Sequence, residues 1–321
     1  STSSWTAPAH ASIFTGLFPP SHGARNNGNY KLASEVTTLA EILKGEGLAT
    51  GAFIAAEVLD AVYGLDQGFD HYDDDMTFEA IEGTRLDRQQ RAEQVVRKSL
   101  KWLEQEKDGE FFAWIHLFDP HAPYDAHDRF KKESPYDSEI AYMDWWIGQL
   151  LSALERWGIE QDTRIIVIGD HGESLGEHGE DSHGILCYQA TLHVPLIIHA
   201  PGHVEPGTRI DRAVRNVDIM PTVLEWYELS VPVGVNGRSL VPLMRGEEDK
   251  EPRPCYFETL LPRYEYLWSG LAGMRVGKDK YIDAPQDERY DLEQDPRELK
   301  NLLGAGQRED AEWKTRLTEM Q

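Results

Sequence analysis

Apolar residues recur at helical spacing in several stretches of the chain. Residues 137–157 carry Ile140, Met143, Ile147, Leu150, Leu151 and Leu154 on one face, with Trp145 and Trp146 at its edge, and predict the clearest helix. Residues 86–107 repeat the pattern through Ala92, Val95, Val96, Leu100 and Leu103 and stop at Asp108-Gly109. Shorter helices are predicted over 38–45 and 216–228, the second with Asp218 near its cap and Pro221 in its first turn, and a terminal helix over 310–320. Apolar, β-branched and aromatic runs predict strands at 49–56, 111–117, 165–168, 192–199, 255–259, 273–276 and 280–282, with Gly277-Lys-Asp turning between the last two. The acidic, turn-rich stretch 66–75 reads as a solvated loop.

Helix and strand alternate through most of the chain, the order expected of an α/β fold with a mostly parallel central sheet flanked by helices. A charged, Pro-containing stretch at 246–253 suggests a boundary. It divides an α/β domain over 1–247 from a small subdomain over 248–321, an antiparallel sheet plus a helix. The 321 residues suffice for either one large domain with an appendage or two domains. A net charge of -24 argues against nucleic acid and anionic membranes as partners, and no apolar run approaches the roughly 20 residues of a membrane span. An anionic substrate therefore needs a locally positive site, made by metal, His and Arg. Cys187 and Cys255, the only cysteines, define no disulfide and no compartment.

Candidate chemistry gathers where strands end. The run Ile165 to Ile168 fits a strand buried on both faces of a parallel sheet, and Gly169 then turns the chain into Asp170-His171. An adjacent carboxylate and imidazole there read either as metal ligands or as a capped turn. A second strand runs into Phe118-Asp-Pro-His-Ala-Pro-Tyr124 and delivers His121 between two stiffening prolines; His116, inside that strand, reads as a core or near-site histidine. Near the start, Pro8 suits the first turn of a helix over 9–15 with Gly16 as its stop. Thr6 then lies just before that helix, either as an oxyanion-holding hydroxyl or as a neighbour of the N-cap.

Taken together these blocks resemble the sulfatase family, within the alkaline-phosphatase-like superfamily. Thr6-Ala-Pro-Ala-His-Ala-Ser-Ile-Phe-Thr-Gly16 is similar to the family's nucleophile signature, Asp119-Pro-His-Ala-Pro-Tyr124 to a loop with a substrate-contacting His, and Gly169-Asp-His-Gly-Glu173 to the metal-ligand turn. His183-Gly-Ile-Leu-Cys-Tyr188 resembles the segment that contacts the ester, and Val217-Asp-Ile-Met-Pro-Thr222 and Tyr290-Asp-Leu-Glu-Gln-Asp-Pro296 resemble structural blocks. The resemblance implies a metal-dependent hydrolase of sulfate or related anionic esters, with Thr6, His10, His121 and His183 as catalytic residues and Asp170, His171 and Thr6 as metal ligands. The implied metal is Ca or Mg if the chain is sulfatase-like, and Zn or Mn if phosphodiesterase-like. His178 is a further candidate, at a second metal. The implied substrate is a small-molecule, glycan or lipid ester, and the family suggests a periplasmic or extracellular setting.

Three departures fall on the chemistry. Thr6 stands where sulfatases carry the Cys or Ser that is oxidised to formylglycine, His10 replaces an Arg, and His183 replaces a Lys. The superfamily's Thr-nucleophile branch includes phosphatases, phosphodiesterases and phosphoethanolamine transferases, which makes phosphoester chemistry the alternative. An inactive fragment or binding module is a further one. The chain opens at Ser1 inside a motif, and the resemblance implies a preceding strand with one or two Asp metal ligands.

Overall fold

A computed structural model describes residues 1–78, 88–124, 128–249, 251–303 and 311–321. It forms two compact units, Ser1–Val36 with Ile165–Gln321, and Thr37–Arg164. Ser1–Val36 contributes α1 (Thr6–Thr15) and α2 (Pro19–His22). Thr37–Arg164 runs through α3 (Leu39–Gly45), β1 (Ala49–Phe53), β2 (His71–Asp73), β3 (Thr77–Phe78), β4 (Arg88–Gln89), α4 (Ala92–Glu106), β5 (Phe111–Ile115) and α5 (Pro135–Trp157). Ile165–Gln321 adds β6 (Ile165–Ile168), α6 (Gln189–Leu192), β7 (Leu196–His199), α7 (Ile219–Trp226), α8 (Val241–Met244), β8 (Cys255–Thr259), α9 (Leu261–Tyr266), β9 (Leu271–Val276), β10 (Asp279–Asp283), β11 (Glu288–Asp291) and α10 (Ala311–Met320).

In Thr37–Arg164 a parallel sheet of order β2-β1-β5 is flanked by helices, as the alternation of elements predicts. Val95 of α4 packs on Phe53 and Ala55, while Ala92 and Val96 meet Tyr142 and Trp146 of α5. The apolar residues of α4 thus serve two neighbours, Val95 covering the sheet while Ala92 and Val96 seat α5 on the helix. α4 begins at Ala92, later than the residue 86 expected. Arg88 and Gln89 are paired to β3, and Asp119 Oδ2 accepts the Ala92 N–H at 2.9 Å, fixing the helix start; residues 86 and 87 lie outside the described residues.

The acidic stretch 66–75, expected as a solvated loop, holds β2. Two of its carboxylates are paired, Asp70 with Lys44 at 2.7 Å and Asp73 with Lys98 at 2.6 Å, so a strand survives where charge density argued for none. α3 opens on a capping box: Thr38 Oγ1 accepts the Glu41 N–H at 3.2 Å and Glu41 Oε2 accepts the Thr38 N–H at 2.8 Å. Thr38→Ala is expected to cost about 1 kcal/mol, read as a lower urea midpoint at unchanged slope. An unchanged midpoint would show that the box contributes nothing.

In the other unit, β11-β10-β9-β8 form an antiparallel sheet covered on both faces. Tyr256, Met274 and Tyr281 pack with Phe18, Val217, Trp313 and Leu317, while Phe257, Ile282 and Tyr290 pack with Cys187 and Leu192. Successive strand residues point to opposite faces, so both halves of the alternation are apolar here. The Glu258 N–H of β8 donates to Thr2 O at 3.1 Å, tying this sheet to the segment that leads into α1.

β6 corrects one expectation. It pairs antiparallel with β7, and its four residues are half-buried rather than enclosed. A β-branched run reports a strand and some burial, but carries no information about its neighbour's direction. The strand expected at 192–199 begins only at Leu196, because Leu192 ends α6 and Pro195 cannot donate to a ladder.

Candidate active site

Thr6 is the first residue of α1 rather than the residue before it. Trp5 is the N-cap, extended at φ -130 and ψ 141, and offers no capping side chain; Asn27 Oδ1 takes the Ala7 N–H instead, at 2.9 Å. Pro8 falls in the first turn, where its missing N–H costs nothing. Gly16 ends the helix in the left-handed region at φ 66, where a Cβ would come within 2.7 Å of Val235. All ten residues of α1 are buried. Its Ser12 is held in a chain of polar side chains: Asn216 Nδ2 donates to Thr2 Oγ1 (3.1 Å), Thr2 Oγ1 to Ser12 Oγ (2.8 Å), and His22 Nε2 lies 3.0 Å from Ser12 Oγ.

The turn after β6 is clamped by backbone bonds from Gly169 N–H to Pro195 O at 3.1 Å and from Gly172 N–H to Thr191 O at 2.7 Å. It delivers Asp170 and His171 to Thr6. His171 Nδ1 lies 2.9 Å from Gly172 O. A carbonyl can only accept, so Nδ1 carries the proton and the neutral ring's lone pair is on Nε2. That lone pair is 3.1 Å from Thr6 Oγ1, so the Thr6 hydroxyl donates to it. Asp170 Oδ2 is 3.5 Å from the same Nε2 and 3.6 Å from His10 Nδ1. Burial holds the His171 imidazole below its ordinary pKa, with the Asp170 carboxylate opposing. His10 Nδ1–H donates to Thr6 O, one helical turn back, at 2.9 Å.

His183 joins this group. Its ring centroid is 4.3 Å from that of His171 and 5.5 Å from that of Trp5, with the Trp5 and His183 planes at 81°. Gly184, at φ 100, has no room for a Cβ against the Trp5 ring, 2.7 Å away, and its carbonyl accepts from the Thr259 hydroxyl at the end of β8. Glu173 Oε1 lies 3.0 Å from His183 Nδ1, with both side chains 5% exposed. Glu173 and Trp5 were not predicted as site residues. For Glu173 a signal was present, since it stands two residues past His171 in the same stretch.

The structure thus brings Thr6, His10, Asp170, His171 and His183 together. His121 belongs to the other unit, at the end of β5. Its Nδ1–H donates to Ala122 O at 2.6 Å, its ring stacks on Phe118 at 4.1 Å, and its backbone N–H meets Glu139 Oε2 at 3.3 Å. His116 is a buried core histidine whose Nδ1 accepts the Ala55 N–H at 3.2 Å. His178, considered for a second metal, stacks on Tyr188 at 3.7 Å with Nε2 3.0 Å from Arg297 O, an arrangement that leaves Nε2 donating to a carbonyl. Among the described residues, no three His, Cys, Asp or Glu side chains converge as a metal cluster. Asp170, His171 and Thr6 offer three donors of suitable type, so the set fits a divalent cation in part; Ca alone takes about six to eight ligands.

Residues 1–229 match the Sulfatase family model, and residues 176–321 match N-sulphoglucosamine sulphohydrolase, C-terminal. The chain is similar to a choline-sulfatase of Rhizobium meliloti (strain 1021), 34% identical over 52% of this chain and 32% of that protein. It spans about a third of the length of the curated relatives it matches, 36% and 32% for two of them. Its fold is similar to that of a protein solved with its substrate D-glucosamine-2-N,6-O-disulfate, with TM-score 0.79, 19% identity, and 100% and 87% of the two chains covered. It is also similar to that of a phosphonate monoester hydrolase from Silicibacter pomeroyi, with TM-score 0.72, 20% identity, and 100% and 85% covered.

Proposed function

The chain belongs to the sulfatase family, and from that premise we propose that it hydrolyses sulfate esters of small molecules or glycans with Thr6 as nucleophile. The observation that carries this reading is the Thr6 hydroxyl held 3.1 Å from the His171 Nε2 lone pair, beside the Asp170 carboxylate. Thr6 Oγ1 gives its proton to an imidazole of the site and forms the new bond to sulfur as the bond to the leaving oxygen breaks; the leaving oxygen takes up that proton, and water then cleaves the Thr6 ester, returning one of its protons to Oγ1 and releasing sulfate with the rest. His183 takes up a proton at Nε2 and hands it to the leaving oxygen. His10 holds the Thr6 carbonyl and so the first turn of α1. Asp170, His171 and Thr6 are the residues that would hold a divalent metal ion, which when bound lowers the pKa of a hydroxyl and offsets charge on the transferring group. Residues 248–321 enter this reading as a substrate-shaping subdomain, with Thr259 bracing the His183 segment through Gly184.

A specific residue favours a second reading. A threonine cannot become formylglycine, so Thr6 suits phosphoester transfer; a structural neighbour from Silicibacter pomeroyi is named a phosphonate monoester hydrolase. A panel of aryl sulfate, phosphate monoester and phosphodiester separates the two, each assayed with divalent metal and with chelator. The expected outcome is sulfate turnover that chelation removes and added metal restores. Preference for phosphoesters moves the assignment to the second reading, and no turnover of any ester with metal present rejects both.

A further inference from the structure

The candidate-site imidazoles are all anchored through Nδ1, but not by the same kind of partner. His10, His121 and His171 donate to backbone carbonyls, at Thr6, Ala122 and Gly172. His183 is held by a carboxylate, with Nδ1 3.0 Å from Glu173 Oε1 and Ser182 Oγ at 3.3 Å. The loop between them builds this contact. The Ser174 N–H donates to Ser182 O at 2.9 Å, so the residues flanking that bond, Glu173 and His183, are set opposite each other. The Gly176 N–H closes the loop further on Glu180 O at 3.0 Å, and Glu180 Oε1 takes the Ile185 N–H at 2.7 Å on the far side of His183. A buried carboxylate at this distance can only accept, so it selects the Nδ1–H form of His183 and leaves the lone pair on Nε2.

We infer that Glu173 is a positioning residue: it fixes the ring direction and tautomer of His183, making Nε2 the atom presented to the ester. This rests on the proposed ester hydrolysis only for what His183 acts upon. The tautomer itself can be read without turnover. Glu173→Gln keeps an acceptor for Nδ1–H in nearly the same shape, whereas Glu173→Ala removes it and leaves Nε2–H, the form an unrestrained imidazole prefers in water.

The test is 15N NMR of the histidine ring nitrogens in the full chain, with the His183 signals assigned by their loss in His183→Gln. The wild type and Glu173→Gln are expected to show His183 protonated at Nδ1. Glu173→Ala is expected to show Nε2–H or an average of the two forms. In the ester assay kcat should fall about 10- to 100-fold in Glu173→Ala, with KM little changed and most of the loss recovered in Glu173→Gln. An unchanged Nδ1–H signal in Glu173→Ala, or a Glu173→Gln ring that changes as Glu173→Ala does, overturns the positioning role. Absence of turnover in the wild type would count against ester hydrolysis and leave the tautomer result standing.

Discussion

Thr6→Ala is expected to lower ester turnover by about a thousandfold or more while leaving the chain folded. The size follows from the role: without the nucleophile, only positioning and charge stabilisation by neighbouring groups remain. Retention of the fold follows from the surroundings. Thr6 is 4% exposed, but α1 is anchored beyond it by the Asn27 bond to the Ala7 N–H, the Asn216 bond to Ala9 O and the Ser12–His22 contact. Losing one hydroxyl that donates to His171 costs about 1 kcal/mol. Thr6→Ser keeps the oxygen and should keep turnover within about tenfold, since the methyl group takes no part in the chemistry. Matched unfolding midpoints with divergent rates would establish that the loss is chemical.

Acid is expected to unfold the protein through His22 before most carboxylates titrate. His22 is 2% exposed, and burial, with Arg25 adding to it, pulls its pKa down to about 3. The geometry explains why. Its Nδ1 accepts the Ala24 N–H at 3.2 Å, and that N–H can only donate, so a proton added at Nδ1 destroys the bond at a buried position. The folded pKa lies below the unfolded value of 6.5, so the unfolded state binds more protons between the two. Stability is therefore fully present above pH 6.5 and falls as pH drops toward 3. At about 1.4 kcal/mol per pH unit over the interval from 6.5 to about 3, the loss is on the order of 5 kcal/mol. Burial also depresses His171 and His193, which steepens the same slope. In His22→Gln the slope of stability against pH should decline by one proton's share over this window, whatever its stability at neutral pH. An unchanged slope would show that His22 is not the group that titrates.

The chain's pattern made some elements legible and concealed others. α5 could be read because its apolar period is long, and β5 because its five residues are all aromatic or apolar. α3 could be read from its apolar spacing and its glycine stop, whereas its capping box at Thr38 and Glu41 emerged only from the structure. β11 was missed because Glu288, Arg289 and Asp291 give it a polar character, and only Tyr290 is buried. β2 was missed because Asp70 and Asp73 looked solvated until Lys44 and Lys98, distant in sequence, were seen to pair with them.

The site divides in the same way. Asp170 and His171 stood out because they follow a β-branched run directly, and Thr6 because Pro8 and Gly16 frame its helix. The pairing of Glu173 with His183 depends on how a ten-residue loop closes, through the Ser174 to Ser182 bond, and no local spacing records that. Likewise the tautomer of His171 is set by its neighbour's carbonyl, a backbone feature common to every sequence.

The most direct test of the account is to mix the chain, supplied with divalent metal, with the ester it turns over fastest. The reaction is quenched within a single turnover and the peptides are mapped by mass. The transferred sulfuryl group, or phosphoryl group under the second reading, is expected on Thr6 and is expected to be absent from Thr6→Ala. A group trapped on any other side chain, or undiminished turnover in Thr6→Ala, would contradict it.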